Sequence, residues 1–257
     1  MARLKDKRVA IIGAGSVGDG IGNGRAIAML FAREGARVLA ADRNLDAAEN
    51  TVSRITQDGG TAQAFAMDAT DPTDVDALVE RADALWGGID ILVHVVGISL
   101  PGGVCETDPD DWDRVFAVNL KSAYLAARAV IPGMKQQGGG AIVFLSSLVA
   151  TYSGPYSYVA YEASKAGVNR MGRSIARAHA SDNIRANVIM PGMIDTPHVA
   201  VFISDAQNTS SAERAAAVPM GRQGTAWDIA EAALFLSSDA SSYITGVSLP
   251  VDGGLSA

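Results

Sequence analysis

Short apolar runs alternate with longer segments of helical periodicity along the whole chain. Seven runs predict strands: RVAIIGAG, ARVLAADR, AQAFAMD, IDILVHVVG, AIVFLSS, IRANVIMPG and GVSLPVDGG. Between them, segments such as GRAIAMLFAREG and DVDALVERADALWGG carry the apolar spacing of a helix and end in glycine. Several strands are apolar throughout, which is typical of a sheet covered on both sides. The pattern predicts an α/β fold, with a doubly wound parallel sheet of about seven strands and helices on both faces.

No linker, repeat or change of composition divides the 257 residues, which predicts a single domain over residues 1–257. One interval, at about 197–224, fits neither a sheet layer nor a core helix. Because it is long for a connection and rather polar, we predict a substrate lid there. A surface helical hairpin would have the same pattern.

Composition excludes some classes of protein. Hydrophobic residues make up 48% of the chain and the net charge is −7, which argues against disorder and against a nucleic-acid or anionic-membrane surface. The N-terminal apolar run is too short for a signal peptide or a membrane span. The single cysteine, Cys105, fits a reducing compartment, and no histidine stands in a motif that would make it a nucleophile. We therefore expect a cytoplasmic protein with no nucleic-acid or membrane partner.

A glycine-rich turn, GAGSVGDGIGNGR, joins the first strand to the first helix. Such a turn lets backbone N–H groups and the helix N-terminus bind a pyrophosphate. Asp42 ends the second strand, where a carboxylate accepts hydrogen bonds from the adenosine ribose and opposes a 2′-phosphate. NAD is therefore favoured over NADP, although Arg43 could reach a 2′-phosphate. Asp68, at the end of the third strand, could meet the adenine or act as a turn carboxylate. Methyltransferases combine a similar loop and acid, so this region alone leaves both classes open.

Tyr161 and Lys165 lie one helical turn apart, so both side chains project from one face. Such a pair is common and has little meaning by itself. Ser146 and Ser147 end the fifth strand, and Asn119 stands inside an apolar helix. These polar groups are therefore candidates for one catalytic centre.

Together with IRANVIMPGMIDTP and the C-terminal VDGG, these motifs resemble the short-chain dehydrogenase/reductase family over essentially the whole chain. The resemblance implies strand order 3-2-1-4-5-6-7, a nicotinamide cofactor and a tetrad of Asn119, Ser147, Tyr161 and Lys165. Tyr161 would be the general acid/base, and Lys165 would favour its phenolate and bind the nicotinamide ribose. Ser147 would donate a hydrogen bond to the substrate oxygen, and Asn119 would hold a water that resupplies the proton.

The resemblance also implies the cofactor contacts, with the PGMIDT segment gripping the nicotinamide carboxamide. The expected cofactor-binding residues are Gly13, Gly18, Gly22, Gly24, Asp42, Asp68, Gly97, Tyr161, Lys165, Gly192, Ile194 and Thr196. No metal site is expected, because His94, His179 and His198 have no ligand spacing.

The sequence departs from the family in three places. The glycine turn opens with Ile12-Gly13 instead of Thr-Gly and is about five residues longer. His94-Val95-Val96-Gly97 replaces the usual Asn-Asn-Ala-Gly, and we expect His94 to substitute for the missing amide as a donor between strands. The interval from Ser147 to Tyr161 is one residue longer than usual, which leaves Ser146 as an alternative donor.

The expected function is NAD-dependent interconversion of a secondary alcohol and a ketone. Tyr152, Tyr156 and Tyr158, together with the interval at about 197–224, could form an aromatic and partly apolar pocket suited to a cyclic or aromatic alcohol. The resemblance further implies a homotetramer. Two alternatives remain: an NADP-dependent 3-oxoacyl thioester reductase and a non-catalytic dinucleotide-binding protein.

Overall fold

A computed structural model describes residues 2–152, 157–197 and 210–257. The strands are β1 (Arg8–Ile12), β2 (Arg37–Asp42), β3 (Thr61–Ala66), β4 (Ile91–His94), β5 (Gly140–Leu145), β6 (Ile184–Pro191), β7 (Ile194–Asp195), β8 (Gly224–Thr225) and β9 (Ser248–Val251). The α-helices are α1 (Asn23–Arg33), α2 (Leu45–Gln57), α3 (Pro72–Trp86), α4 (Pro109–Phe116), α5 (Ser122–Gln136), α6 (Val159–His179), α7 (Ser211–Ala217) and α8 (Ala226–Ser237).

Seven strands form one parallel sheet in the order β3-β2-β1-β4-β5-β6-β9. The predicted fold class and strand order are confirmed. The chain leaves β1 toward β2 on one side and later returns to place β4 on the other side. In open parallel sheets a ligand crevice forms where the strand order reverses, at the carboxyl ends of the strands. Here that position is the end of β1 and β4.

Helices cover both faces of this sheet, which explains the strands that are apolar throughout. In β1, Ile11 packs with Phe31 of α1 in one core cluster, while Ile12 packs with Leu78 of α3 in the other. All four side chains are at most 1% exposed. Alternating residues of one strand therefore contribute to two separate cores.

Helix N-termini differ in a way that bears on ligand binding. Asn44 caps α2 by accepting a hydrogen bond from Ala47 N, and Asp71 caps α3 by accepting one from Thr73 N. The N-cap of α1 is Gly22, whose position offers no side-chain cap. The backbone donors at the start of α1 are thus left for another acceptor.

The long helical pattern around Asn119 is not one continuous α-helix. A π-helical segment, Ala117–Lys121, separates α4 from α5. Such a segment holds one extra residue in a turn and is frequent at functional sites. Asn119, in the middle of it, is fully buried.

The predicted lid begins and ends at one place. Ile194–Asp195 in β7 pairs with Gly224–Thr225 in β8, which brings the two ends of the interval together. Its residues 198–209 lie outside the described residues, and Ser211–Ala217 is helical. The lid stays a prediction. Across the three described ranges, no helix combines the length and apolar character needed to cross a bilayer.

Candidate active site

A cavity of about 830 Å³ opens at the carboxyl ends of the central strands. All twelve residues expected to bind the cofactor line it, together with Ser147. Asn119 is the one tetrad residue that lies behind the wall. Among the further lining residues that the sequence reasoning did not single out as site residues are Gly15, Ser16, Ser99 and Arg114. The first two stand inside the glycine motif, which could have indicated them.

Close backbone approach shapes the glycine turn. Gly13 has φ of 89°, the left-handed region that favours glycine. A Cβ on Gly24 would overlap the Gly13 carbonyl oxygen, so α1 packs directly against the end of β1. This approach places the uncapped N-terminus of α1 at the cavity.

Asp42 is held against the glycine turn by backbone donors. Gly15 N donates to Asp42 Oδ2 at 2.9 Å, and Asn44 N donates to Oδ1 at 3.0 Å. A Cβ on Gly15 would lie 2.7 Å from Oδ2, so only glycine permits this contact. The carboxylate is thereby fixed in the cavity wall beside Arg43.

Asp68 is both a turn carboxylate and a lining residue, so the two interpretations of the sequence are compatible. Its Oδ1 accepts hydrogen bonds from Thr70 N at 2.8 Å and from Thr70 Oγ1 at 2.7 Å. These bonds lower the pKa of the Asp68 carboxyl below its ordinary value. An ionised carboxylate therefore faces the cavity at the end of β3.

Tyr161 and Ser147 meet at the cavity. Burial raises the pKa of the Tyr161 phenol, and a hydrogen bond with Ser147 partly opposes that rise. The neighbouring Ser146 is buried, and its hydroxyl donates to the Lys165 carbonyl oxygen at 2.9 Å. The structure thus pairs Ser147 with Tyr161 and gives Ser146 a different partner.

Lys165 is 3% exposed, and its ammonium donates to the Leu145 carbonyl oxygen at 2.9 Å. Burial lowers the pKa of Lys165 to about 8. The Nζ atom lies 5.8 Å from the centroid of the Tyr161 ring. A Cβ on Gly97 would lie 2.9 Å from Nζ, so a larger residue there would displace the ammonium.

Asn119 ties three elements together behind Lys165. Its Oδ1 accepts from Ile98 N at 2.7 Å, and its Nδ2 donates to Ile98 O at 2.9 Å and to Ser164 Oγ at 3.0 Å. The side chain therefore joins the segment after β4 to α6, which carries Tyr161 and Lys165. Its role in holding a water stays a prediction.

His94 does not bond between strands, so that interpretation of the sequence is wrong. Its Nε2 lies 2.9 Å from Ser122 Oγ at the start of α5. The Ser122 hydroxyl donates to Val118 O at 2.5 Å, so Nε2 carries the proton and donates to Ser122. Burial lowers the pKa of His94 to about 3, which keeps the imidazole neutral.

The buried His94 predicts a specific loss of stability in acid. Since the unfolded chain takes up a proton below about pH 6.5 and the folded one does not, the free energy of unfolding falls by about 1.4 kcal/mol per pH unit there. His94→Asn, with the residue usual in the family, should remove this dependence. Denaturant unfolding measures the free energy of unfolding of the native protein and of His94→Asn. The difference between these two free energies should change by about 2 kcal/mol between pH 6.5 and 5. A difference that is constant with pH would contradict this.

The segment after β6 packs against the C-terminal residues. Gly192 N donates to Val251 O at 3.0 Å, and a Cβ on Gly192 would lie 2.6 Å from Asp252 Cβ. Ile194 and Thr196 are nearly buried and line the cavity. This segment closes the end of the cavity opposite Asp42 on the sheet.

The aromatic pocket expected from three tyrosines stays a prediction, because Tyr156 and residues 198–209 lie outside the described residues. Tyr152 is 45% exposed, and Tyr158 forms a β-bridge with Gly102. Neither lines the cavity, and Tyr156 lies outside the described residues. The described cavity wall includes the apolar residues Val96 and Ile98.

Comparisons with known proteins agree with this geometry. A family model described as enoyl-(acyl carrier protein) reductase matches residues 17–256. A 3-oxoacyl-[acyl-carrier-protein] reductase of Thermotoga maritima is 36% identical over 98% of this chain and 99% of its own. A 2,5-dichloro-2,5-cyclohexadiene-1,4-diol dehydrogenase of Sphingobium indicum is 36% identical over 100% of this chain and 99% of its own. A crystal structure from Burkholderia xenovorans, described as a short-chain dehydrogenase/reductase, has a TM-score of 0.94 and 40% identity over 100% of this chain and 98% of its own. The chain belongs to the short-chain dehydrogenase/reductase family.

Proposed function

We propose that this protein is an NAD-dependent oxidoreductase that interconverts a secondary alcohol and a ketone. One observation carries the proposal: Tyr161, Ser147 and Lys165 line the same cavity as the glycine turn and Asp42. An acid/base group and a dinucleotide-binding region in one cavity are the arrangement that hydride transfer coupled to proton transfer requires.

The residues present fit a nicotinamide dinucleotide. The start of α1 has no side-chain cap, and its first residues line the cavity, where their N–H groups would bind a pyrophosphate. Asp42 would accept hydrogen bonds from the adenosine ribose, and Lys165 from its buried position would donate to the nicotinamide ribose. When bound, the cofactor supplies the hydride acceptor in oxidation and the hydride donor in reduction.

Tyr161 would remove the hydroxyl proton of the alcohol in oxidation and return a proton to the ketone oxygen in reduction. The hydrogen bond with Ser147 and the nearby Lys165 ammonium both favour the phenolate, which burial alone disfavours. The Ser147 hydroxyl would donate to the substrate oxygen as negative charge develops there. Through its hydrogen bonds to Ile98 and Ser164, Asn119 would fix the position of the helix that carries Tyr161 and Lys165 relative to the segment after β4.

The preference for NAD is supported by the fixed carboxylate of Asp42. Asp42→Ala is expected to weaken NADH binding at least about tenfold, because the carboxylate that accepts hydrogen bonds from the ribose is lost. The difference in affinity between NADH and NADPH should also become smaller, because the repulsion of a 2′-phosphate is lost with it. Titration of each nucleotide by its fluorescence measures this. Asp46→Ala, at an exposed residue in the first turn of α2, is the matched control. A native protein that prefers NADPH would contradict the choice of cofactor.

A screen of alcohols tests the activity itself. The protein is mixed with NAD and a panel of linear, cyclic and aromatic secondary alcohols, and NADH formation is followed by absorbance. Cyclic alcohols are expected among the substrates, because Val96 and Ile98 give the cavity apolar walls and the Sphingobium indicum relative is named for a cyclic diol. No turnover with any alcohol, despite NADH binding, would favour a non-catalytic dinucleotide-binding protein.

An NADP-dependent 3-oxoacyl thioester reductase is the second candidate, since the Thermotoga maritima relative is named as a 3-oxoacyl-[acyl-carrier-protein] reductase. Arg43 lines the cavity next to Asp42 and could meet a 2′-phosphate. Reduction of an acetoacetyl thioester with NADPH, faster than any alcohol oxidation with NAD, would establish this alternative.

The assembly state and location belong to the same proposal. A homotetramer follows from the family resemblance, and light scattering on the purified protein tests it. A cytoplasmic location is consistent with the single cysteine, Cys105, which is exposed and unpaired with any other cysteine.

A further inference from the structure

The lengthened glycine turn is held from outside the cavity by two arginines. Arg25, in the first turn of α1, donates through one guanidinium nitrogen to Gly18 O at 3.2 Å and to Gly20 O at 2.5 Å. Arg54 of α2 donates to Asp19 O at 3.0 Å. Three successive carbonyl oxygens of the turn are thus bound by guanidinium groups.

Arg25 is an unusual residue to find at 0% exposure. Within the described ranges, no carboxylate lies at ion-pair distance from it. Its Nε donates instead to Thr51 Oγ1 at 3.0 Å, and Thr51 donates to Ala14 O at 2.9 Å at the start of the turn. Burying a cation without an ion pair costs stability, so a role beyond packing accounts better for its presence.

The direction of these bonds determines where the turn's donors can point. In a trans peptide the N–H lies opposite the C=O, so carbonyls bound by Arg25 and Arg54 leave the following N–H groups on the other side. These are the N–H groups of Asp19, Gly20 and Ile21. Gly18 before them and Gly22 after them line the cavity, and among the described residues none accepts a hydrogen bond from Asp19 N or Ile21 N. Backbone N–H groups of a turn that point to one side form an anion-binding concavity.

The turn is also fixed on its far side. A Cβ on Gly20 would overlap the ring of Pro197, so the two residues are in direct contact. Pro197 follows Thr196, which lines the cavity. The lengthened part of the turn therefore packs between Arg25 on one side and Pro197, after β7, on the other.

We propose that Arg25 and Arg54 are positioning residues that hold the lengthened glycine turn with its free N–H groups toward the pyrophosphate of the cofactor. Bound carbonyl oxygens are kept away from the phosphate oxygens, which they would otherwise repel. The inference rests on the proposed function in that the ligand is a dinucleotide. The inference goes beyond the proposed function because it assigns the shape of the turn to two side chains that do not line the cavity.

Arg25→Lys tests the proposal, because lysine keeps the charge but cannot bridge Gly18, Gly20 and Thr51 together. We expect the Kd for NADH and for ADP to rise at least about tenfold, while the Kd for adenosine, which has no phosphate, changes less than about twofold. Fluorescence titration gives the first value and calorimetry the other two. Arg33→Lys is the matched control, since Arg33 lies on the same helix and pairs with the exposed Asp58.

Arg54→Gln is the second variant, because Arg54 is only half-buried and its loss spares the core. We expect about threefold weaker NADH binding and unchanged adenosine binding, as only one carbonyl is released. Equal loss of NADH and adenosine binding in both variants, or no loss in either, would overturn the proposal while leaving the proposed function intact. Failure of the native protein to bind NADH would contradict both.

Discussion

Tyr161→Phe is expected to lower kcat for alcohol oxidation by at least about 100-fold while changing the Kd for NADH by less than about threefold. In the proposed mechanism the phenol exchanges a proton with the substrate oxygen, and it lines the cavity in hydrogen-bond contact with Ser147. Phenylalanine keeps the aromatic ring in the cavity wall but cannot carry that proton. Steady-state kinetics and fluorescence titration of NADH separate the two quantities.

A matched control for this variant is available close by in the chain. Tyr152→Phe removes the hydroxyl of a tyrosine that is 45% exposed and does not line the cavity, so kcat should stay within about twofold. If Tyr161→Phe turned over as fast as the native protein, the assignment of the acid/base group would be wrong. If both kcat and NADH binding collapsed together, the loss would reflect folding.

The fold was predictable because each strand and helix carries its own local signal. Apolar runs of strand length, separated by helical periodicity, indicate a parallel sheet between two layers, and the right-handed crossover rule limits the strand orders. The observed order agrees with the one implied by the family resemblance. The glycine turn and Asp42 were predictable for the same reason, since both are set by short-range spacing.

Long-range side-chain partners were not predictable from local patterns. Arg25 has the sequence context of a surface residue in a helix, and its burial depends on Thr51 and on the carbonyls of a turn that folds back over it. Gly20 and Pro197 are in contact although they lie far apart in the sequence. The apolar spacing around Asn119 is the same as that of a continuous α-helix. The π-helical segment could therefore not be predicted from the periodicity.

Lys165→Met is expected to reduce kcat/KM for alcohol oxidation by at least about 100-fold and to move the pH dependence of the remaining activity upward by at least about one unit. The Lys165 ammonium lies 5.8 Å from the centroid of the Tyr161 ring, and a positive charge this close is expected to favour the phenolate that burial disfavours. Without it the phenolate forms only at higher pH, and the nicotinamide ribose loses a donor. Rates measured across the pH range where the native activity rises give both quantities.

The melting temperature of Lys165→Met shows whether its loss of activity comes from unfolding. Burial lowers the pKa of Lys165 to about 8, so the folded state disfavours the charged form, and below that pH the buried ammonium is a cost to folding. A methionine of similar length removes that cost, and the melting temperature near neutral pH should therefore be retained or raised. Lys135→Met, which removes an exposed ammonium paired with Asp182, should leave the rate and its pH dependence unchanged. A lower rate with an unmoved pH dependence in Lys165→Met would mean that Lys165 binds the cofactor without acting on the phenol.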